Sequence, residues 1–208
     1  MVKSIAIVGG SSDIAKSTIS SMSADNYKFH VLVRDDSHTD ELSASGVSVV
    51  LGDATSEEDI KNFISGVKES GEIHAILHCV GSFAVRPPHA MNKEAFETVI
   101  STNLTSAFLT LSIAGKAMLS QGHGRMVFMS SVAGSLGLVN HEAISAAKGG
   151  IESMVRSAAA TYANRGLRIN AVAPGLTDTK LASPIMSNET ASQAASQKIP
   201  IKRVGQKE

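Results

Sequence analysis

The chain has 208 residues, enough for one domain with a sizeable core, and is 43% hydrophobic and 18% charged. Its 19 basic and 19 acidic residues balance, which gives no reason to expect nucleic acid or an anionic membrane as partner. The absence of tryptophan and 4% aromatics argue against base-stacking platforms, and a single cysteine, Cys79, excludes both an intrachain disulfide framework and a multi-cysteine metal site.

The opening "MVKSIAIVGG" is too short an apolar run for a secretory signal, and no stretch approaches the apolar length of a spanning helix. The reading is a soluble, cytoplasmic protein. Short apolar runs recur at 4–8, 29–33, 47–51, 73–80, 125–132 and 167–173. They are rich in Val and Ile and nearly continuous, as strands covered on both faces are. Helical spacing fills 13–24, 56–69, 92–120 and 141–164. The alternation predicts βαβ units with right-handed crossovers, an α/β doubly wound parallel sheet with helices on both faces, in one domain over 1–208. After "APG" (173–175) the chain turns polar and rich in Ser and Ala. Residues 176–199 read as a surface excursion, a substrate-binding loop or lid.

The first run enters "VGGSSDIA" (8–15). A strand, a glycine turn and a helix form the layout in which backbone N–H groups and the helix dipole hold a phosphate. Gly9 allows the tight turn and Gly10 keeps the backbone bare. Ser11 and Ser12 offer hydroxyls, Asp13 reads as the helix N-cap, and Ile14 completes the cradle. A dinucleotide site is favoured over a plain turn, although the G-x-G-x-x-G spacing is absent. The second run ends "LVRDD" (32–36). An acidic residue there would bind a ribose 2′-hydroxyl, whereas Arg34 suits a 2′-phosphate, which favours NADP(H) over NAD(H). The competing reading is a solvated turn residue beside Asp35 and Asp36. Asp53, followed by Ala54, ends the third run and is placed to meet an adenine amino group.

Four stretches, "VGGSSDIA" (8–15), "STNLTSAF" (101–108), "GRMVFMSSVAG" (124–134) and "SAAKGG...RINAVAPGLTDT" (145–179), together resemble the short-chain dehydrogenase/reductase family over nearly the whole chain. The resemblance implies a Rossmann sheet of strand order 3-2-1-4-5-6-7 and hydride transfer between NAD(P)(H) and a carbonyl or alcohol. It makes Ser131 the substrate-orienting serine and Asn103 the support of a water leading to the lysine. Lys148 becomes the lysine on the nicotinamide ribose, and Pro174, Gly175 and Thr179 the loop flanking the nicotinamide. Each has a structural competitor: a strand-end serine bonding backbone, a buried helix asparagine, a solvated lysine. The helices at 92–120 and 141–164 resemble those that pair in family dimers, so a homodimer or homotetramer is expected.

The departures are as informative. In place of the family's T-G-x-x-x-G-x-G stand Val8, Gly9, Asp13 and Ala15, and of its N-N-A-G only Gly81 remains in "HCVG" (78–81). The resemblance places a seventh strand and a last helix beyond "IPIKRVGQKE", and these are expected to be missing. The family tyrosine, four residues before the lysine, is here Ile144, which has no proton to give. His141, Ile144 and Lys148 share a helix face by spacing. His141 is the candidate proton donor. The alternative is that Asn140 caps the helix and His141 fills its first turn. Glu142 lies off that face, Tyr27 and Tyr162 are remote, and Ser131 or a water held by Asn103 and Lys148 could also deliver the proton. The expected function is an NADP(H)-dependent oxidoreductase acting on a small carbonyl, alcohol or enone. The alternatives are a non-catalytic NADP(H)-binding sensor or partner subunit and a structural homologue without cofactor. No metal is expected.

Overall fold

Residues 2–22 and 26–207 are described in the computed structural model of the chain. Strands β1 (Lys3–Val8), β2 (Tyr27–Val33), β3 (Ser48–Leu51), β4 (Ile73–His78), β5 (Gly124–Met129) and β6 (Leu167–Val172) form one sheet, ordered β3-β2-β1-β4-β5-β6. Every pairing is parallel. The order reverses between β1 and β4, and the crevice outside the carboxyl ends of strands at such a switch point is where open α/β sheets place ligands. The helices are α1 (Asp13–Ser21), α2 (Thr39–Ala44), α3 (Glu57–Glu69), α4 (Lys93–Ile100), α5 (Ser106–Gln121), α6 (Glu142–Tyr162), α7 (Ser183–Met186) and α8 (Glu189–Lys198).

Successive strand residues point to opposite faces. From β1, Ala6 and Val8 join a core with Phe63 of α3, Met118 of α5 and Ile151 of α6. Ile5 and Ile7 face the other way, into a core with Ala15 of α1 and Leu42 of α2. Both faces of β1 are therefore apolar, which is why the run reads as continuous. On the second face the helices stop short of β5 and β6, leaving Arg125, Arg168, Asn170 and Val172 exposed there. Among the described residues the sheet has six strands, and β6 is an edge.

The fourth and fifth strands end earlier than the apolar runs suggest, at His78 and Met129, so 79–81 and 130–132 leave the sheet as loops. The helical segment 92–120 is two helices joined by a π-helical turn, Ser101–Thr105. By length and composition the continuous helix Lys93–Gln121 is long and apolar enough to cross a membrane, which corrects the expectation that no stretch is. Its Ala107, Leu111, Ala114 and Met118 are buried in the core beside α3, as in a core helix. Residues 176–199 are not a structureless loop. They hold a 3-10 turn (Lys180–Ala182), α7 and α8, and the chain returns so that Gly205 N donates to Leu176 O and Asp178 N to Gly205 O, both at 2.9 Å. Helix α1 ends at Ser21, so the end of the helical segment read over 13–24 lies partly outside the described residues.

Candidate functional site

The turn after β1 can be built only with glycine. Gly9 has φ +86°, and a Cβ there would stand 2.9 Å from the Val80 backbone nitrogen; a Cβ on Gly10 would stand 2.5 Å from the Val31 Cβ. The turn thus lies flat against β2 and the end of β4, with Gly9 N and Gly10 N both donating to Leu32 O at 3.0 Å. The cap of α1 is Ser12, whose Oγ accepts from Ala15 N at 3.1 Å. This corrects the expectation that Asp13 caps the helix. Asp13 is instead the first helical residue, and its Oδ2 accepts the backbone N–H of Lys180 at 2.6 Å. Among the described residues the backbone N–H groups of Asp13 and Ile14 make no hydrogen bond. They are the orphan donors that a helix start offers to an anion.

Arg34 follows β2 in the open, and no carboxylate lies within salt-bridge distance of it among the described residues. The acids around it are otherwise engaged. Asp35 bonds the Ser37 N–H and hydroxyl. Asp53 Oδ1 accepts from Thr55 N and Thr55 Oγ1, both at 2.8 Å. Those bonds hold both carboxyls below the usual carboxylate range. Asp53 is exposed while Ala54 beside it is buried.

Lys148 is 7% exposed on α6 and donates from Nζ to Met129 O at 2.9 Å. Burial lowers its pKa to about 8. Asn103, fully buried, sits in the π-turn. Single π-helical turns within α-helices are frequent at functional sites. Its Nδ2 donates to Val99 O and Ser82 Oγ, and its Oδ1 accepts from Ser82 N. Gly81 measures the closeness: a Cβ on it would be 3.3 Å from Asn103 Oδ1 and 3.5 Å from Lys148 Nζ. Asn103, Gly81 and Lys148 thus meet at the carboxyl end of β4.

Ser131 follows β5. Its Oγ accepts from Ala133 N at 3.2 Å, capping a 3-10 turn over 132–134. Beside it, Ser130 Oγ lies 2.9 Å from Glu152 Oε1 and 3.1 Å from Lys148 O, so its one hydroxyl proton is shared between two acceptors. Glu152 Oε2 accepts from Ser135 Oγ at 2.7 Å. One carboxylate on α6 therefore holds both ends of the loop that carries Ser131, and the sequence reading missed it. Its one signal is position, a turn beyond Lys148. A second residue missed is His78, fully buried at the end of β4 with Nε2 on Ser106 Oγ at 3.1 Å and, among the described residues, no partner for Nδ1. Burial lowers its pKa to about 3, so its ring is neutral. Cys79, beside Ser12 and Lys148, is pushed by burial up to about 12 and holds no thiolate.

Ile144 is 8% exposed and packs with Val99, Ala133, Ala143 and Ala147. His141, not Asn140, is the N-cap of α6; its side chain caps nothing, and Nδ1 bonds Val139 O at 2.7 Å. Asn140 has φ +62° and turns the chain into the helix. Pro174 O accepts from Val132 N at 3.0 Å, tying the loop after β6 to the Ser131 loop. Gly175 is exposed, and Thr179 Oγ1 bonds Thr177 O at 3.3 Å. Among the described residues no group of three or more His, Cys, Asp or Glu is arranged to hold a metal.

Residues 9–208 match the family described as enoyl-(acyl carrier protein) reductase. The chain belongs to the short-chain dehydrogenase/reductase family. It is 32% identical over 204 residues to the 3-oxoacyl-[acyl-carrier-protein] reductase MabA of Mycobacterium tuberculosis, covering 98% of this chain and 80% of the relative. The crystal structure of levodione reductase aligns with a TM-score of 0.92 at 26% identity, over 99% of this chain and 86% of that one. ElxO with NADP bound has the same fold, with a TM-score of 0.91 at 24% identity over the whole chain and 87% of ElxO.

Proposed function

We propose that the chain is an NADP(H)-dependent oxidoreductase that moves a hydride between the nicotinamide and a small carbonyl, alcohol or enone. The carrying observation is the meeting of Lys148, Asn103 and Gly81 at the carboxyl end of β4, next to a glycine turn with two orphan N–H donors. Family membership and the names of the relatives, reductases among them, support it.

The residues present fit a dinucleotide. Gly9, Gly10, Ser11, Ser12 and Ile14 form the phosphate turn, Arg34 is free for a 2′-phosphate, and Asp53 and Ala54 border the adenine side. Gly81, Pro174, Gly175 and Thr179 line the other end. The bound cofactor supplies or accepts the hydride. Lys148 has three donors and spends one on Met129 O, leaving two for ribose hydroxyls. Ser131 uses its oxygen as an acceptor, so its O–H is free to donate to the oxygen on which charge builds during reduction.

Reduction at oxygen also needs a proton, and Ile144 supplies none. The proton comes from His141, or from a water held by Asn103 and Lys148. With Nδ1 donating to Val139 O, Nε2 is the open ring nitrogen of His141, and it delivers a proton only when both ring nitrogens carry one, after which water returns it. Turnover of a carbonyl and enone panel by His141→Ala decides between them: about a 10²-fold loss assigns the proton to His141, and unchanged turnover assigns it to the water. A second reading, a non-catalytic NADP(H)-binding sensor or partner subunit, is favoured by the packing of Ile144 in an apolar cluster. NADPH binding without turnover on that panel would select it. The same proposal carries a cytoplasmic, one-domain protein whose 176–199 segment shapes the substrate pocket. It assembles as a homodimer or homotetramer, for which exposed Phe96 and Phe108 on α4 and α5 offer apolar surface.

A further inference from the structure

We propose that Asp13 is a positioning residue that fastens the segment carrying Thr179 and Lys180 to the first glycine turn. The bond from Lys180 N to Asp13 Oδ2 spans 167 residues of sequence. Among the described residues it is the one hydrogen bond that ties 178–207 to any residue before 175; the others in this segment are local or close it on itself at Gly205. The segment buries little apolar surface, with Ala182 its one buried hydrophobic residue. A single charge-assisted bond therefore has an outsized part in holding it.

Both partners are otherwise spare. Helix α1 is capped by Ser12, so its own start does not need the Asp13 carboxylate. The 3-10 turn Lys180–Ala182 has Thr179 at its N-cap with no side-chain cap, so the Lys180 N–H would be orphaned without a partner from elsewhere. Asp13 provides that cap across the site, while its charge also suits the positive end of α1. This accounts for a carboxylate standing where the family pattern has glycine. The consequence for turnover rests on the proposed dinucleotide reading; the tie itself does not.

The test is hydrogen exchange on the full chain, comparing wild type with Asp13→Ala and Asp13→Asn. The expected result in Asp13→Ala is exchange about tenfold faster in peptides across 178–199, with β1, β4 and β5 unchanged. Asp13→Asn, which keeps an acceptor oxygen, falls between it and wild type. Unchanged exchange at 178–199 in Asp13→Ala overturns the proposal. If Asp13→Ala loses protection across the sheet, Asp13→Asn decides: faster exchange confined to 178–199 supports the tie, and none overturns it. In turnover, Asp13→Ala is expected to raise the carbonyl KM about tenfold with the NADPH Kd within about threefold. An enzyme that binds no NADPH removes the functional reading and leaves the exchange result standing.

Discussion

Lys148 and Ile144 lie one turn apart on α6, yet they belong to opposite kinds of environment. Lys148 is buried among polar groups, with Met129 O as acceptor and Asn103 close by across Gly81. Ile144 is buried among Val99 and alanines. The buried polar group at Lys148 is the half proposed to meet a ribose, and the position from which the resemblance expects a proton is filled with hydrocarbon. The lesson is that two residues one turn apart on a helix can sit in a polar and an apolar environment independently, because the two rest on different neighbours.

The largest expected effect comes from putting a phenol back. Ile144→Tyr should raise carbonyl turnover by about 10²- to 10⁴-fold if the rest of the site is competent. It should also cost about 1–3 kcal/mol in thermal stability, since the larger ring enters a packed cluster. No gain in turnover from a folded variant would break the claim that the rest of the site is competent. Lys148→Ala should weaken NADPH binding by about a hundredfold, read by fluorescence titration, because it removes a buried donor set that nothing else supplies. Binding within a few-fold of wild type would show that the two halves differ less than their burial suggests. Arg34→Ala should cut the preference for NADPH over NADH by about tenfold, measured as the ratio of the two Kd values. An unchanged ratio would return Arg34 to a solvated turn residue.

The smallest effect is in pH. The Lys148 pKa falls to about 8 in the fold, below its value in the unfolded chain. Between those values the unfolded chain binds more protons, so stability rises as pH goes from about 8 into the ordinary lysine range. Cofactor affinity should run the other way, weakening as the ammonium deprotonates through the same window. Melting and NADPH titration over that range check the two opposite slopes.

The strands and the long helices are legible because apolar runs and helical spacing reflect burial directly: β1, β2 and β6 begin or end within two residues of their runs. Helices α2 and α7 are too short, at six and four residues, to show a period. Helix α8 is polar, with none of its residues buried. Ser131, Lys148 and Asn103 are proposed for the site through the resemblance, and of these the structure brings Asn103 and Lys148 together. The partners of Asp13 and Glu152 were not legible, since a bond across 167 residues or between a helix and a loop leaves no local pattern. The cap positions were misread by one residue at both α1 and α6. The adjacent pairs Ser12–Asp13 and Asn140–His141 leave the choice to backbone angles that composition does not encode.

The most direct measurement is an NADPH fluorescence titration of wild type and Ile144→Tyr side by side. Saturable binding with Kd values within about threefold of each other is the result predicted for a cofactor half that does not depend on the residue at position 144. No saturation in either protein at millimolar NADPH would contradict it.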